Sequence, residues 1–155
     1  ARARRAGTVR FLGITGHYDP TVLVEAIRRY PFDTVLVALN AADRIRLSFI
    51  KHLLPLTTER SVGVIGMKAL AKGYLLRPHG VATLREAFSY VLTLPVATAI
   101  VGFQTAAEVD EAAAIARTFA PLNPDDMARL ERLAAVPDRR CIPQNTAAVQ
   151  LEAIS

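Results

Sequence analysis

The segment VGVIGMKALAKG, Val62 to Gly73, decides how the chain is read. It opens with an apolar, partly β-branched run (Val62, Val64, Ile65), the composition of a strand covered on both faces in a parallel sheet. It then breaks at Gly66 into a polar, glycine-punctuated stretch carrying Met67, Lys68 and Gly73. Ligands of α/β proteins bind where parallel strands end and loops begin. A strand that finishes in small residues and a lysine is therefore a candidate ligand edge.

The same design recurs on both sides of this segment. Upstream, TVRFLGIT (Thr8 to Thr15) predicts a strand ending at Gly16-His17-Tyr18. Asp19-Pro20 then starts a helix, with the aspartate as cap and the proline at the first helical position. Val22, Leu23, Ala26 and Ile27 give that helix its apolar face, and Pro31 ends it. FDTVLVAL (Phe32 to Leu39) predicts a second strand finishing at Asn40-Ala41-Ala42-Asp43, where Asn40 and Asp43 suit either a helix cap or a ligand contact. A helix from about Arg44 to Leu54 follows, with Ile45, Phe49, Ile50 and Leu53 on one face and Pro55 after it.

Downstream, a loop through Arg77-Pro78-His79-Gly80 leads to Thr83-Leu84-Arg85-Glu86, which has capping-box spacing and opens a helix with Leu84, Phe88 and Val91 turned inward. Ala97 to Val101 predicts the fourth strand, ending at Gly102-Phe103-Gln104-Thr105. A second capping box, Thr105 to Glu108, starts a helix carrying Val109, Ala112, Ala113, Ala116 and Phe119. Asn123-Pro124 caps a last helix with Met127, Leu130 and Leu133 on its buried stripe. After Pro137 the pattern fades, and the stretch to Ser155 reads as a tail.

Four βα units in series call for an α/β fold with parallel strands joined by crossovers. They fit either a small doubly wound sheet or half of an eight-stranded barrel. A whole barrel takes about 250 residues, and this chain has 155. ARARRAG at the start reads as the closing turns of a helix, with cations near its C-terminus and Gly7 at the stop. The expectation is a chain cut from something longer, with a half-barrel over 1–136 and a tail over 137–155.

Composition narrows the function classes. With 52% hydrophobic and 21% charged residues the chain is of ordinary globular make-up, and no apolar run reaches the ~18 residues of a membrane span. The Arg-rich start is not followed by the apolar core of a signal peptide. The single Cys141 gives no internal disulfide and fits a reducing cytoplasm. Four charges of the net +5 come from Arg2, Arg4, Arg5 and Arg10, so the rest of the chain is nearly neutral. A terminal basic cluster without interleaved aromatics reads as a solvated helix end, and neither nucleic acid nor membrane is expected as a partner.

Four blocks carry a family resemblance. LGITGH (Leu12 to His17), FDTVLVALNAADR (Phe32 to Arg44), LLPLTTERSVGVIGMKALAKGYL (Leu53 to Leu75) and LPVATAIVGFQTAAEVDEAAAIARTFAPLNPDD (Leu94 to Asp126) resemble, in order and spacing, the aldo/keto reductase family. The match corresponds to the last four βα units of that family's (β/α)8, TIM-type barrel. It implies an oxidoreductase that moves hydride between NADP or NAD and a small carbonyl or alcohol. The family's Asp, Tyr, Lys and His tetrad lies in the first four units, and His17, after the fifth family strand, is not that histidine. The resemblance therefore implies a cofactor-binding side with no catalytic residue of its own, inactive alone, because losing a general acid and oxyanion stabilisation costs orders of magnitude each.

The resemblance also assigns the cofactor contacts. Thr15 and Gly16 fall where the family bonds the nicotinamide carboxamide through a Ser-Asn pair. Thr15 keeps the hydroxyl and Gly16 lacks the amide. Met67 stands where many members stack an aromatic ring on the nicotinamide. Lys68, Leu70 and Gly73 lie in the loop that wraps the pyrophosphate, where a cation and close backbone approach suit a diphosphate. Gly102, Phe103, Gln104 and Thr105 resemble the segment that cradles the adenosine phosphate at a helix N-terminus. Here the chain departs from NADP-preferring members, offering Glu108 near the segment where they often place a cation. Ala112 replaces a family Asn near the adenine, and Glu111 is kept. The rival reading is a non-enzymatic half-barrel that binds through these loops, or pairs with itself through its two open sheet edges.

Overall fold

The computed structural model describes residues 2–43, 47–76 and 82–135. The predicted contributions of Arg44, Ile45, the loop 77–80 and the tail 137–155 lie outside the described residues. The chain opens with a short helix α1 (Arg2–Arg5), and Gly7 adopts φ +71° just after it, the left-handed stop that the ARARRAG pattern predicts. Strands β1 (Gly13–Gly16), β2 (Thr34–Ala38), β3 (Gly63–Met67) and β4 (Thr98–Ala99) pair in parallel in the order β1-β2-β3-β4. Between and after them run α2 (Pro20–Arg29), α3 (Phe49–His52), α4 (Leu54–Glu59), α5 (Leu84–Thr93), α6 (Ala106–Arg117) and α7 (Pro124–Ala134).

Strand order and helix placement decide between the two architectures open at the sequence level. A doubly wound sheet reverses its strand order and carries helices on both faces. Here the order is sequential, and helices pack against one face. Ile14 of β1, Val35 of β2 and Val64 of β3 stand in register on that face, as do Gly16, Val37 and Gly66. Leu23 of α2 packs so closely under Gly16 that a Cβ there would lie 2.8 Å from its Cδ1. Val91 of α5 sits under Gly66, where a Cβ would come within 3.0 Å. The opposite face (Thr15, Leu36, Ile65, Thr98) is exposed or only half-buried. This is the geometry of a barrel wall.

Three caps form as the sequence predicts. The Asp19 carboxylate accepts the Thr21 hydroxyl at 2.7 Å and the Thr21 N–H at 2.8 Å, which together hold its pKa below the usual carboxylate value. Thr83 and Glu86 make a reciprocal capping box, and Asn123 accepts the Asp126 N–H at 2.8 Å. The box predicted at Thr105 forms only half-way. Thr105 Oγ1 accepts the Glu108 N–H at 3.3 Å, but the Glu108 carboxylate reaches one residue further back and accepts the Gln104 N–H at 2.7 Å.

Several boundaries differ from the sequence reading. The first strand begins at Gly13 rather than Thr8, and Phe11 is 65% exposed, because no neighbour strand reaches that far. Pro55 does not follow the second helix. It sits in the first turn of α4, where its missing N–H costs nothing. The preceding α3 starts late, at Phe49, because Ser48 caps it, accepting the Lys51 N–H at 3.0 Å. Gly66 does not break β3 but lies inside it, making room for Val91. The fourth strand is two residues long, Thr98–Ala99, at the sheet edge. On α6 the inward residues are Ala112 and Ile115, whereas Val109 is 47% exposed and Ala116 is exposed. Val22 and Leu133 likewise face outward, since Leu23 and Ile27 on α2 and Leu130 and Ala134 on α7 take the buried positions.

Candidate cofactor site at the strand ends

Parallel pairing puts the C-terminal ends of all four strands on one edge, and the loops leaving that edge build the site. Among the described residues, the loop after β3 has the most unusual backbone. Lys68, Ala71, Lys72 and Gly73 all have positive φ (57°, 47°, 60° and 80°), within and just before a 3-10 segment Ala71–Leu76. For the first three residues, which carry a Cβ, this is a strained choice held by the surrounding structure, a feature concentrated at functional sites. At Gly73 it is the conformation that glycine supplies without cost, and a Cβ there would meet nothing within 4 Å.

Asn40 fixes this loop from below. Its side chain is 1% exposed, donates Nδ2–H to the Lys68 carbonyl at 3.1 Å and accepts the Ala42 N–H at 3.0 Å. It is thus neither a helix cap nor a rim contact but a clamp between the ends of β2 and β3. Asp43, in contrast, accepts the Ile50 N–H (2.9 Å) and the Ser48 hydroxyl (3.0 Å), anchoring α3. Replacing Asn40 by Ala leaves the buried Ala42 N–H without its partner and the Lys68 carbonyl with only the Ala71 N–H, which it accepts at 2.8 Å. The expected cost is about 1–3 kcal/mol in urea unfolding, together with weaker ligand binding at Lys68.

Lys68 is half-buried and its Nζ lies 3.2 Å from His17 Nδ1, joining the loops after β3 and β1 across the end of β2. Burial and then the nearby charge of Lys72 hold its pKa below the ordinary lysine value of 10.5. On the other side stands the approach to α6. A Cβ at Gly102 would meet nothing within 4 Å, Phe103 is 37% exposed, and Glu108 holds the Gln104 N–H.

Between the β3 loop and the first turns of α6 lies a cleft of about 730 Å³. Of the residues that the sequence assigns to the cofactor, Met67, Lys68, Leu70, Gly73, Gly102, Phe103, Gln104 and Glu111 line it together. Three do not. Thr105 is spent on its cap. Thr15 lies on the open sheet face at the end of β1 and donates its hydroxyl hydrogen to the Leu36 carbonyl at 3.0 Å. Gly16 faces the helices, and its missing side chain is explained by Leu23. The cleft adds Lys72 and Glu108, which sequence reasoning did not assign to the ligand. A second cleft, of about 710 Å³ between α2 and His52, lies away from the strand ends. Among the described residues no group of acidic, histidine or cysteine side chains could hold a metal, and no helix is long and apolar enough to cross a membrane.

A one-sided parallel sheet with its polar loops gathered at the carboxyl edge defines an α/β protein built as part of a (β/α)8-type barrel. Comparison with solved structures bears this out: the chain is similar in fold to aldo-keto reductases. It superposes on aldo-keto reductase AKR11C1 from Bacillus halodurans with a TM-score of 0.70 and 21% identity, over 91% of this chain and 56% of that one. For the glycerol dehydrogenase AKR11B4 from Gluconobacter oxydans the TM-score is 0.65 at 16% identity, covering 92% of this chain and 53% of that one. For the thermostable aldo-keto reductase Tm1743 the values are 0.61 and 22%, over 85% and 51%. The chain thus spans little more than half the length of these structures. No family model matches the sequence, and no curated protein does.

Proposed function

We propose that this chain is the cofactor-holding side of an NAD(P)H-dependent aldo/keto reductase, completed by a further barrel half that carries the proton donor. The observation that supports this most is the cleft at the strand ends, where eight of the eleven residues assigned to the dinucleotide from sequence meet. Their chemistry fits the group. Lys68 and Lys72 offer cations to a diphosphate, and the left-handed turn at Gly73 brings backbone close. Met67 presents a polarizable thioether for a ring to pack on. When bound, the nicotinamide supplies or takes up the hydride; the chain's own residues hold and orient it.

The open sheet face favours a second reading, in which the chain pairs with itself or a partner and only binds. Hydride-transfer assays with NADH and NADPH, on the chain alone and with a complementary half, separate the two. Activity in the joined form alone supports the reductase reading, and activity in neither supports the binding module.

The lysine gives the site a pH signature. Because its pKa is lowered, Lys68 loses its charge at a lower pH than a free lysine. Affinity for an anionic dinucleotide is therefore expected to fall as the pH rises through a break below 10.5. Lys68→Met is expected to weaken binding roughly tenfold or more, as for loss of a charge-assisted hydrogen bond, and to remove that break. Titration of NADH fluorescence across pH checks both.

A further inference from the structure

We propose that Lys68 is a reactive amine, forming an imine with an aldehyde that carries an anionic group, and that His17 relays the proton. This goes beyond the dinucleotide reading and stands without it.

The placement of Lys68 sets it apart from the chain's other two lysines, Lys51 and Lys72. Those two are exposed, whereas Lys68 is half-buried. Its base is fixed. The backbone holds φ 57°, and the carbonyl accepts the Asn40 Nδ2–H at 3.1 Å and the Ala71 N–H at 2.8 Å. Its head forms no ion pair with a carboxylate among the described residues. Instead Nζ lies 3.2 Å from His17 Nδ1. An ammonium has three donors and no acceptor, so the ring nitrogen that meets it can only accept. The imidazole is thus the first stop for the proton that Lys68 must lose to become a nucleophile. Burial and the charge of Lys72 push the lysine the same way, toward the free amine.

The cleft supplies room and a second handle. Met67, Leu70 and Phe103 offer apolar surface to the body of an aldehyde, and Lys72 offers a cation to its anionic group. In the step itself, free Nζ attacks the carbonyl carbon. A C–N bond forms and one N–H proton moves to the oxygen, giving a carbinolamine. The imidazolium then returns its proton to the hydroxyl, the C–O bond breaks, and water leaves. Ammonium and aldehyde become a protonated imine and one water, with nothing oxidised or reduced.

The test incubates the 155-residue chain with para-carboxybenzaldehyde at neutral pH, with no nicotinamide nucleotide present. Borohydride fixes any imine, and mass spectrometry of the peptides reads which of the three lysines carries it. Lys68 is expected to be labelled roughly tenfold or more faster than Lys51 and Lys72, and all three are expected to react alike in urea. His17→Ala, at an exposed position, is expected to slow labelling of Lys68 by about tenfold or more. Added imidazole is expected to restore part of that rate, which a loss of structure alone would not allow. Benzaldehyde, lacking the anion, is expected to react more slowly than its carboxylated analogue, and Lys72→Met to close that gap. Circular dichroism checks that each variant keeps its fold. Equal labelling of the three lysines in the folded chain, or the same preference in urea, overturns the reactive amine. An unchanged rate in folded His17→Ala overturns the proton relay, and equal rates for the two aldehydes overturn the anionic-group preference. Titration of the same chain with NADH reports the dinucleotide reading separately: Lys68 labelled in a chain that binds no NADH leaves this proposal standing and that reading lost.

Discussion

Joined to a barrel half that carries a general acid, this chain is expected to reduce a small carbonyl roughly 10²–10⁴-fold faster than it does alone. Hydride delivery to a carbonyl carbon leaves charge on the oxygen, and that charge must be met by a proton or by preorganised donors. The rim of this chain holds groups suited to an anionic ligand, chiefly Lys68 and Lys72, and spends others on structure. Thr15 donates to the Leu36 carbonyl, and Asn40 clamps the Lys68 loop. His17 and Lys68 face each other at 3.2 Å at this rim, so His17→Ala serves as the control for any turnover by the chain itself. Steady-state assays of the chain alone, of the assembled pair confirmed by size-exclusion chromatography, and of the pair carrying His17→Ala measure this. Comparable rates with and without the second half would contradict the account.

The largest effect on stability is expected at Tyr90. Its side chain has no exposed surface, and its hydroxyl donates to Glu131 Oε1 at 2.8 Å, tying α5 to α7. Tyr90→Ala opens a cavity beneath the sheet and is expected to cost about 3–5 kcal/mol. That is a large part of the ~5–15 kcal/mol that holds a domain folded, in a chain with one sheet face uncovered. Tyr90→Phe keeps the ring and gives up the hydrogen bond, so it is expected to cost only about 1 kcal/mol. Urea unfolding of both variants separates packing from hydrogen bonding. Equal losses would show that the bond, and not the ring, carries the contribution.

What was legible in the sequence follows from how local each signal is. Asp19-Pro20, Thr83 with Glu86, and Asn123-Pro124 act within one helical turn, and all three form caps as predicted. Parallel pairing follows from alternating elements, whereas the sequential strand order does not, since the same units fit a doubly wound sheet until the order and the one-sided helices are seen. Signals that depend on a distant partner misled or stayed silent. Gly66 reads as a break until Val91 is seen beneath it. The α6 segment AAEVDEAAAIAR has so many alanines that its inward stripe is ambiguous, and only packing selects Ile115 over Val109. The Asn40 clamp on Lys68 and the approach of His17 to Lys68 join residues 28 and 51 positions apart. No spacing rule connects them. Among the cofactor assignments, those on the β3 loop and before α6 converge because both loops leave the same sheet edge, whereas Gly16 turns away because strand alternation points it at α2.

The central claim is that a dinucleotide sits at the strand ends, between the loop after β3 and the first turn of α6. Amide chemical-shift mapping of the ¹⁵N-labelled chain during titration with NADH tests it most directly. The account predicts saturable shifts concentrated at Lys68 to Gly73 and Gly102 to Glu108. Shifts clustered instead on the open sheet face or on α2 and α3, or no saturable shifts at all, would contradict it.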